Sequence, residues 1–216
     1  MKQRSQTIGA VRLIPDSVWK WIIEASVDVT LDQDTAHPDL ILSEDRKRVR
    51  SGGVRNGHHV NSNKYVGCHC VLGMEGFTSG RRYWEVAVGK KRDWRVGVTT
   101  ESSMRKGYGF LNTSVGYWTL RLERGCEFKA LTVPVTSLPL SLKPRRLGVY
   151  LDYEEGQLSF YDAEKKNHIY TYTETFTEKL YPVFGTVDTE FNADLVIMPL
   201  AVTRGSADLH RPNFGM

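Results

Sequence analysis

Apolar and polar residues alternate along most of the chain after residue 27. Three segments show this most clearly, and in each a tryptophan begins the apolar series: RYWEVAV at residues 82–88, DWRVGV at 93–98 and GYWTLRLE at 116–123. A period of two places successive side chains on opposite sides of a strand. The pattern therefore predicts strands that bury a tryptophan-bearing side and leave the other side, with Arg95 and Arg121, facing water.

Clusters of turn-forming residues interrupt the alternation about every ten residues, as expected between short strands. Many short strands with regular turn signals are typical of an antiparallel sandwich or barrel. After residue 27, no second segment has a helical period long enough to build the crossovers of a parallel sheet. The sequence thus predicts an all-β fold.

One short helix is predicted before the strands begin. In IPDSVWKWIIEASV (residues 14–27), Asp16 or Ser17 is placed to cap the helix, and the apolar face holds Trp19, Ile22, Ile23 and Ser26. A stripe of large apolar side chains needs a surface to cover it. The alternatives are the flank of the domain itself and the end of a longer helical stalk in a parent protein.

Three carboxylates stand close together in LDYEEGQLSFYDA, at residues 151–163. A retaining glycosidase needs two carboxylates that converge across a sugar at about 5 Å. Here two strand patterns are joined by Glu154-Glu155-Gly156, a typical hairpin connection. Neighbours on a hairpin tip diverge, so we interpret the cluster as a turn in which Asp152 accepts a backbone N–H.

The sequence contains no convincing metal or catalytic constellation. HHVNSNKYVGCHC (residues 58–70) is rich in His and Cys, but Cys68-x-Cys70 is not the Cys-x-x-Cys of structural zinc, and we interpret both as small buried hydrophobes. His37, before Pro38, is interpreted as a turn residue. Nucleophile elbows, phosphate loops and dinucleotide fingerprints are missing from the sequence. We expect no catalytic residue, no metal and no cofactor, so the chain is not predicted to be an enzyme.

The charge and the cysteine content bear on the class of partner and on the cellular compartment. The 29 basic and 25 acidic residues give a net charge of +4, which does not argue for a nucleic-acid partner. Three cysteines are few and odd in number, which favours a reducing compartment. No stretch has the apolar length of a signal peptide or a membrane span. We therefore expect a cytoplasmic domain that does not itself contact a membrane.

Taken together, the strand motifs resemble the PRY-SPRY domain. VDVTLDQDTAHPDLILSED resembles the PRY part, and GFTSGRRYWEVAVG, DWRVGV, GYWTLRL, LGVYLDYEEGQLSFYDA and LYPVF follow in the order of the SPRY part. The resemblance implies a bent antiparallel β-sandwich of two sheets. We divide the chain into a tail with a short helix (1–26), a PRY-SPRY domain (27–200, with PRY at about 27–75 and SPRY at about 76–200) and a C-terminal tail (201–216).

The resemblance also implies protein binding through variable loops over one sheet face. The matching positions lie in KKRDWR, YWTLRLERG and FGTVDTEF. The predicted partner-binding residues are Lys91, Arg92, Arg95, Arg121, Glu123, Lys129 and Asp188. Arg95 departs from the family, in which many members have an acidic or neutral residue after the tryptophan, so no known partner transfers directly.

The implied function is target recognition in a tripartite-motif ubiquitin ligase of innate immunity. The alternative is the cytoplasmic ligand-sensing domain of a butyrophilin-like receptor. Some butyrophilins bind phosphorylated metabolites in a basic pocket, to which Arg95 and Lys129 would contribute. Cys68, Val135 and Gly185 stand where such a pocket needs cationic or imidazole groups. The Trp-bearing helix, or a coiled coil of the parent protein, is a candidate homodimer contact.

Overall fold

A computed structural model of the chain describes residues 11–52, 63–103, 105, 109–187 and 193–201. Within these ranges it has one α-helix, α1 at Asp16–Ile23, and fourteen strands. The strands in chain order are β1 Arg12–Leu13, β2 Leu40–Leu42, β3 Arg48–Ser51, β4 Cys70–Leu72, β5 Arg81–Ala87, β6 Trp94–Thr100, β7 Tyr117–Glu123, β8 Glu127–Ala130, β9 Thr136–Ser137, β10 Arg146–Asp152, β11 Gln157–Asp162, β12 Asn167–Thr173, β13 Leu180–Gly185 and β14 Leu195–Ile197.

The strands form two antiparallel sheets. One has eight strands in the order β1-β12-β11-β10-β5-β14-β3-β2, and the other has six in the order β4-β13-β6-β7-β8-β9. Each sheet mixes early and late segments of the chain, since β14 pairs with both β3 and β5. The prediction of an all-β, two-sheet antiparallel sandwich with a short N-terminal helix is confirmed.

The core between the sheets is built on the predicted tryptophans. Trp84 of the eight-stranded sheet and Trp94 and Trp118 of the six-stranded sheet all belong to one buried apolar cluster. Trp94 is completely buried and packs edge-on against Phe128, with ring centroids 5.9 Å apart. Burying a large apolar side chain contributes about 1.5–3 kcal/mol, so this cluster positions the strands that carry the outward-facing residues.

A glycine allows β6 and β7 to approach each other closely. Gly97 of β6 lies opposite Thr119 of β7. A Cβ atom at Gly97 would lie 2.1 Å from the carbonyl oxygen of Trp118, which is fixed in the neighbouring strand. No side chain fits there without moving the backbone, so this position fixes the spacing of the two strands.

Helix α1 covers the outer side of the eight-stranded sheet. Trp19 and Ile22 are buried against Tyr83, Tyr150 and Tyr161. Both sides of β5 are therefore buried, although the alternation predicts one wet side. The domain's own flank is thus what covers the apolar face of the helix. The predicted cap by Asp16 or Ser17 is wrong, because the helix begins at Asp16 after Pro15 and has no side-chain cap hydrogen bond.

The carboxylate cluster forms a hairpin connection, as predicted. Residues 153–156 join β10 to β11, one residue more than expected, and Gly156 has a φ of 64°. Asp152 accepts the backbone N–H of Glu155 at 3.2 Å. The Glu154 carboxylate accepts the N–H of Gly80 at 2.8 and 3.1 Å. Both carboxylates therefore stabilise the turn rather than converging on a substrate.

None of the helices in the described ranges is long and apolar enough to cross a membrane.

Candidate partner-binding face

Most of the outward charge of the six-stranded sheet lies on β6, β7 and β8. Because Trp94 and Val96 face the core, Arg95 between them faces outward, and the same alternation turns Arg121 and Lys129 outward. We call this side of the sheet the charged face. Its members are Arg92, Asp93, Arg95, Arg121, Glu123, Glu127 and Lys129.

Ion pairs connect the outer members of the charged face. The Lys129 ammonium lies 2.5 Å from Glu123 and 3.1 Å from Glu127. The hydrogen bond from Lys129 lowers the pKa of Glu123, and the same bond raises the pKa of Lys129. A guanidinium nitrogen of Arg121 lies 3.3 Å from Asp93 and 3.6 Å from Glu123. Arg121, Glu123 and Lys129, which were predicted to bind together, are thus held in one network.

Arg95 is outward-facing but not exposed, which corrects the expectation of a wet position. Only 8% of the residue is accessible, and one terminal nitrogen donates to the carbonyl of Leu111 at 3.0 Å. Burial, with a smaller contribution from the nearby Arg121 charge, lowers the pKa of Arg95 from its ordinary value to about 10. The alternation correctly gives the side of the sheet, but the loop around Leu111, which it does not reveal, covers the side chain.

The three remaining predicted residues have different surroundings. Lys91 is only 2% exposed, because its ammonium donates to the carbonyl of Ala193, so the expectation that it lies on the binding surface is wrong in this structure. Arg92 is exposed and donates to the carbonyl of Arg124 at 3.2 Å. Asp188 lies outside the described residues.

Exposed apolar side chains on the loops next to the charged face were missed by the sequence reasoning. Phe110 is 92% exposed and precedes Leu111, whose carbonyl binds Arg95. Val187 follows Thr186, whose hydroxyl donates to the carbonyl of Asp93 at 2.8 Å. The connection between β8 and β9 adds two more exposed side chains, Val133 and Val135. These residues could have been found from the sequence as large apolar side chains that lie outside the alternating strand segments, as Phe110 does.

Two histidines and an aspartate of the PRY segment lie close together and hold neighbouring backbone groups in place. His37 stacks on His69 with ring centroids 4.2 Å apart, and a carboxylate oxygen of Asp39 lies 3.7 Å from His69. These three side chains are close enough to share a metal ion. However, Nδ1 of His37 accepts the N–H of Asp39, and Nε2 donates to the carbonyl of Val66, both at 3.0 Å. A metal ligated by His37 would have to break one of these bonds, so we assign His37 a structural role.

Cys70 lies in a buried apolar cluster and Cys68 packs against it partly buried, in agreement with the interpretation as small hydrophobes, but the disulfide between them was not predicted. The two sulfur atoms form a disulfide, and only Cys70 lies in β4. Cys70 is completely buried, and its sulfur contacts the position of Gly185. The sequence pattern does not predict the disulfide, because Cys68 lies before the start of β4 and therefore does not follow the alternation of the strand.

Comparison with known proteins identifies the domain type. Residues 29–77 match the SPRY-associated domain, PRY, and residues 81–196 match the SPRY domain. The fold is similar to the crystal structure of the TRIM65 PSpry domain, with a TM-score of 0.73 over 87% of this chain and 96% of that one, at 22% identity.

Two relatives from different kinds of protein have similar identities. "Nuclear factor 7, brain" of Xenopus laevis is 48% identical over 161 residues, which cover 74% of this chain and 26% of the relative. Human "Butyrophilin subfamily 1 member A1" is 43% identical over 184 residues, covering 85% of this chain and 35% of the relative. This chain therefore spans about a quarter to a third of these relatives. It belongs to the SPRY family with its associated PRY segment, a protein-interaction module.

Proposed function

We propose that this chain captures a protein partner through the charged face and the apolar loop residues beside it. The carrying observation is the combination of an ion-paired sheet surface with exposed Phe110, Val133, Val135 and Val187. Protein interfaces combine aromatic or aliphatic anchors with charged groups that select the partner and set the association rate. We retain Arg92, Arg121, Glu123, Lys129 and Asp188 as proposed contacts and add Phe110 as the proposed anchor.

We further propose that the parent protein is a cytoplasmic tripartite-motif ubiquitin ligase acting in innate immunity, with this chain as its substrate-recognition domain. The likeness to the TRIM65 PSpry domain supports this at the level of fold. Ligase chemistry would then reside in a RING domain elsewhere in the parent, and the chain alone would have no activity.

A butyrophilin-like receptor is the second candidate, favoured by the 43% identity to a human butyrophilin. Here the chain would be the cytoplasmic ligand-sensing domain. The sequence of the parent gene product separates the two proposals. A RING, B-box and coiled coil before the domain support the ligase, whereas immunoglobulin domains and a membrane span support the receptor.

The binding proposal is tested by presenting the chain to a displayed library of protein fragments and measuring the affinity of each selected fragment. We expect Phe110→Ser to weaken binding by about tenfold or more, because anchor residues commonly contribute over 1 kcal/mol. Lys165→Gln, an exposed change on the turn between β11 and β12, should leave binding unchanged. If fragments bind the Phe110 variant as tightly as the original chain, this face is not the site.

A further inference from the structure

Three cations of the charged face stand in one row across neighbouring strands. Arg95 of β6 is the register partner of Arg121 of β7, and Arg121 is the register partner of Lys129 of β8. Adjacent strands are about 4.8 Å apart, and like charges directly opposite each other destabilise a sheet. The row therefore opposes folding wherever carboxylates do not neutralise it.

Neutralisation along this row is uneven. Lys129 has two carboxylates within 3.1 Å. Among the described residues, the carboxylates near Arg121 lie at long distances, 3.3 Å for Asp93 and 3.6 Å for Glu123, compared with about 2.7–2.9 Å for a good charge-assisted hydrogen bond. Arg95 has no ion pair with any described residue, and its Nε atom is buried without a hydrogen-bond partner. Positive charge is thus least compensated between Arg95 and Arg121.

The charge of the buried Arg95 side chain raises the free energy of the folded state. Its pKa of about 10 is still well above neutral pH, so the side chain stays protonated. A buried charge without an ion-pair partner destabilises the folded state. A carboxylate brought in by another molecule would accept hydrogen bonds from the partly exposed Arg121 guanidinium and add negative charge beside the buried Arg95.

The surroundings favour an anion that belongs to a protein over a free phosphate. Phe110 is 92% exposed immediately before the residue that binds Arg95, and Val187 is 45% exposed just beyond the strand paired with β6. A small anion would leave both apolar side chains in water. A protein segment that delivers a carboxylate would cover them and gain their burial free energy.

We propose that an Asp or Glu side chain of the protein partner binds the Arg121 guanidinium, beside the buried charge of Arg95. This inference rests on the proposed function, because it specifies the chemistry of a contact on the same face. The partner's carboxylate replaces water around the Arg121 guanidinium and neutralises the row at its least compensated point.

The test uses short peptides selected against the intact chain from a random displayed library. In each selected peptide, every Asp or Glu is replaced in turn by its amide, and affinities are measured for the original chain, Arg121→Gln, Arg121→Lys and Phe110→Ser. Arg145→Gln, an exposed arginine just before β10, is the matched control. A separate titration measures the binding of inorganic pyrophosphate to the original chain and to Arg121→Gln.

We expect one carboxylate per peptide to matter, with about a tenfold or larger loss of affinity, about 1.4 kcal/mol, when it becomes an amide, since truncating one partner of a charge pair weakens binding. Arg121→Gln should cause a similar loss, with no further loss for the amide peptide, because the two changes remove the same contact. Arg121→Lys should restore part of the affinity, and Arg145→Gln should change nothing.

Other results overturn the inference in distinguishable ways. Peptides that need Phe110 but no carboxylate would overturn it and leave the proposed function standing. Peptides that need neither Phe110 nor Arg121, or a selection that yields no binder, would count against both. Tight pyrophosphate binding that requires Arg121, together with carboxylate-independent peptides, would assign the cations to a free phosphate instead.

Discussion

At the scale of single residues, the buried charge of Arg95 lowers the stability of the fold. Its guanidinium is buried, keeps its charge at neutral pH and faces the like charge of Arg121. A base whose pKa is lowered in the folded state destabilises that state at every pH below the lowered value, and the penalty disappears only as pH rises towards the unfolded value. At neutral pH the full penalty is therefore present.

Replacing Arg95 with methionine should leave the protein at least as stable. The change loses one hydrogen bond to Leu111 but removes a buried unpaired charge. We expect Tm to stay level or rise by about 2–4 °C, the shift that about 1 kcal/mol produces in a chain of this size. Thermal unfolding followed by circular dichroism measures this, and a fall in Tm of more than about 4 °C would show that the charge is compensated.

Gly97 is the residue where the sheet tolerates least change. An added Cβ would meet the Trp118 carbonyl at 2.1 Å, so Gly97→Ala should lower the free energy of unfolding by about 3 kcal/mol or more through backbone displacement. Gly109→Ala is the control, since no atom of the described residues lies within 4 Å of its added Cβ. Equal urea midpoints for the two variants would contradict the close approach of β6 and β7.

Sequence reasoning at this scale succeeds where the strand period decides. It correctly assigns Trp84, Trp94 and Trp118 to the core and Arg95 to the opposite side of β6. It does not reveal that loops fold back over a strand, which is how Arg95 became buried. It also passes over Phe110, because an exposed aromatic residue in a loop has no periodic neighbours.

At the scale of elements, α1 owes its place to two buried side chains on one face. Trp19 makes edge contacts with Tyr83 at 5.9 Å and with Tyr161 at 5.8 Å, whereas Trp21 on the other face is 54% exposed and stacks on Arg81. The helix therefore forms part of the fold of the eight-stranded sheet. Because Trp19 and Ile22 are buried within the domain, a homodimer contact through α1 would have to use its exposed face, which carries Trp21.

The two tryptophans of α1 should respond differently to truncation. Trp19→Ala should lower the free energy of unfolding by about 3 kcal/mol, in the range measured for large aromatic truncations. Trp21→Ala loses an exposed cation–π contact and should cost about 0.5–1 kcal/mol. Urea unfolding monitored by circular dichroism gives both values. Similar losses for the two variants would show that α1 does not dock through Trp19.

The hairpin turns could be predicted from the sequence, whereas the packing of α1 on the eight-stranded sheet could not. Asp152 and Gly156 mark the β10–β11 turn locally, within a few residues of sequence. The surface that receives α1 combines Tyr83, Tyr150 and Tyr161 from three strands, and their meeting depends on the order of strands in the sheet. No local pattern contains that order.

At the scale of the whole molecule, the two outer sides of the sandwich differ. The eight-stranded sheet is covered by α1, and the six-stranded sheet presents the charged face. Because part of the proposed attraction is between charges, partner binding should weaken as salt rises towards concentrations where the Debye length falls to about 3 Å.

The most direct test of the account compares the proteins captured from a cell lysate by four forms of the chain. They are the original, Phe110→Ser, Arg121→Gln and the Lys165→Gln control, each quantified by mass spectrometry. The account predicts that proteins captured by the original and the control are lost, about tenfold or more, from both face variants. If all four forms capture the same proteins in equal amounts, the charged face is not where this domain binds its partner.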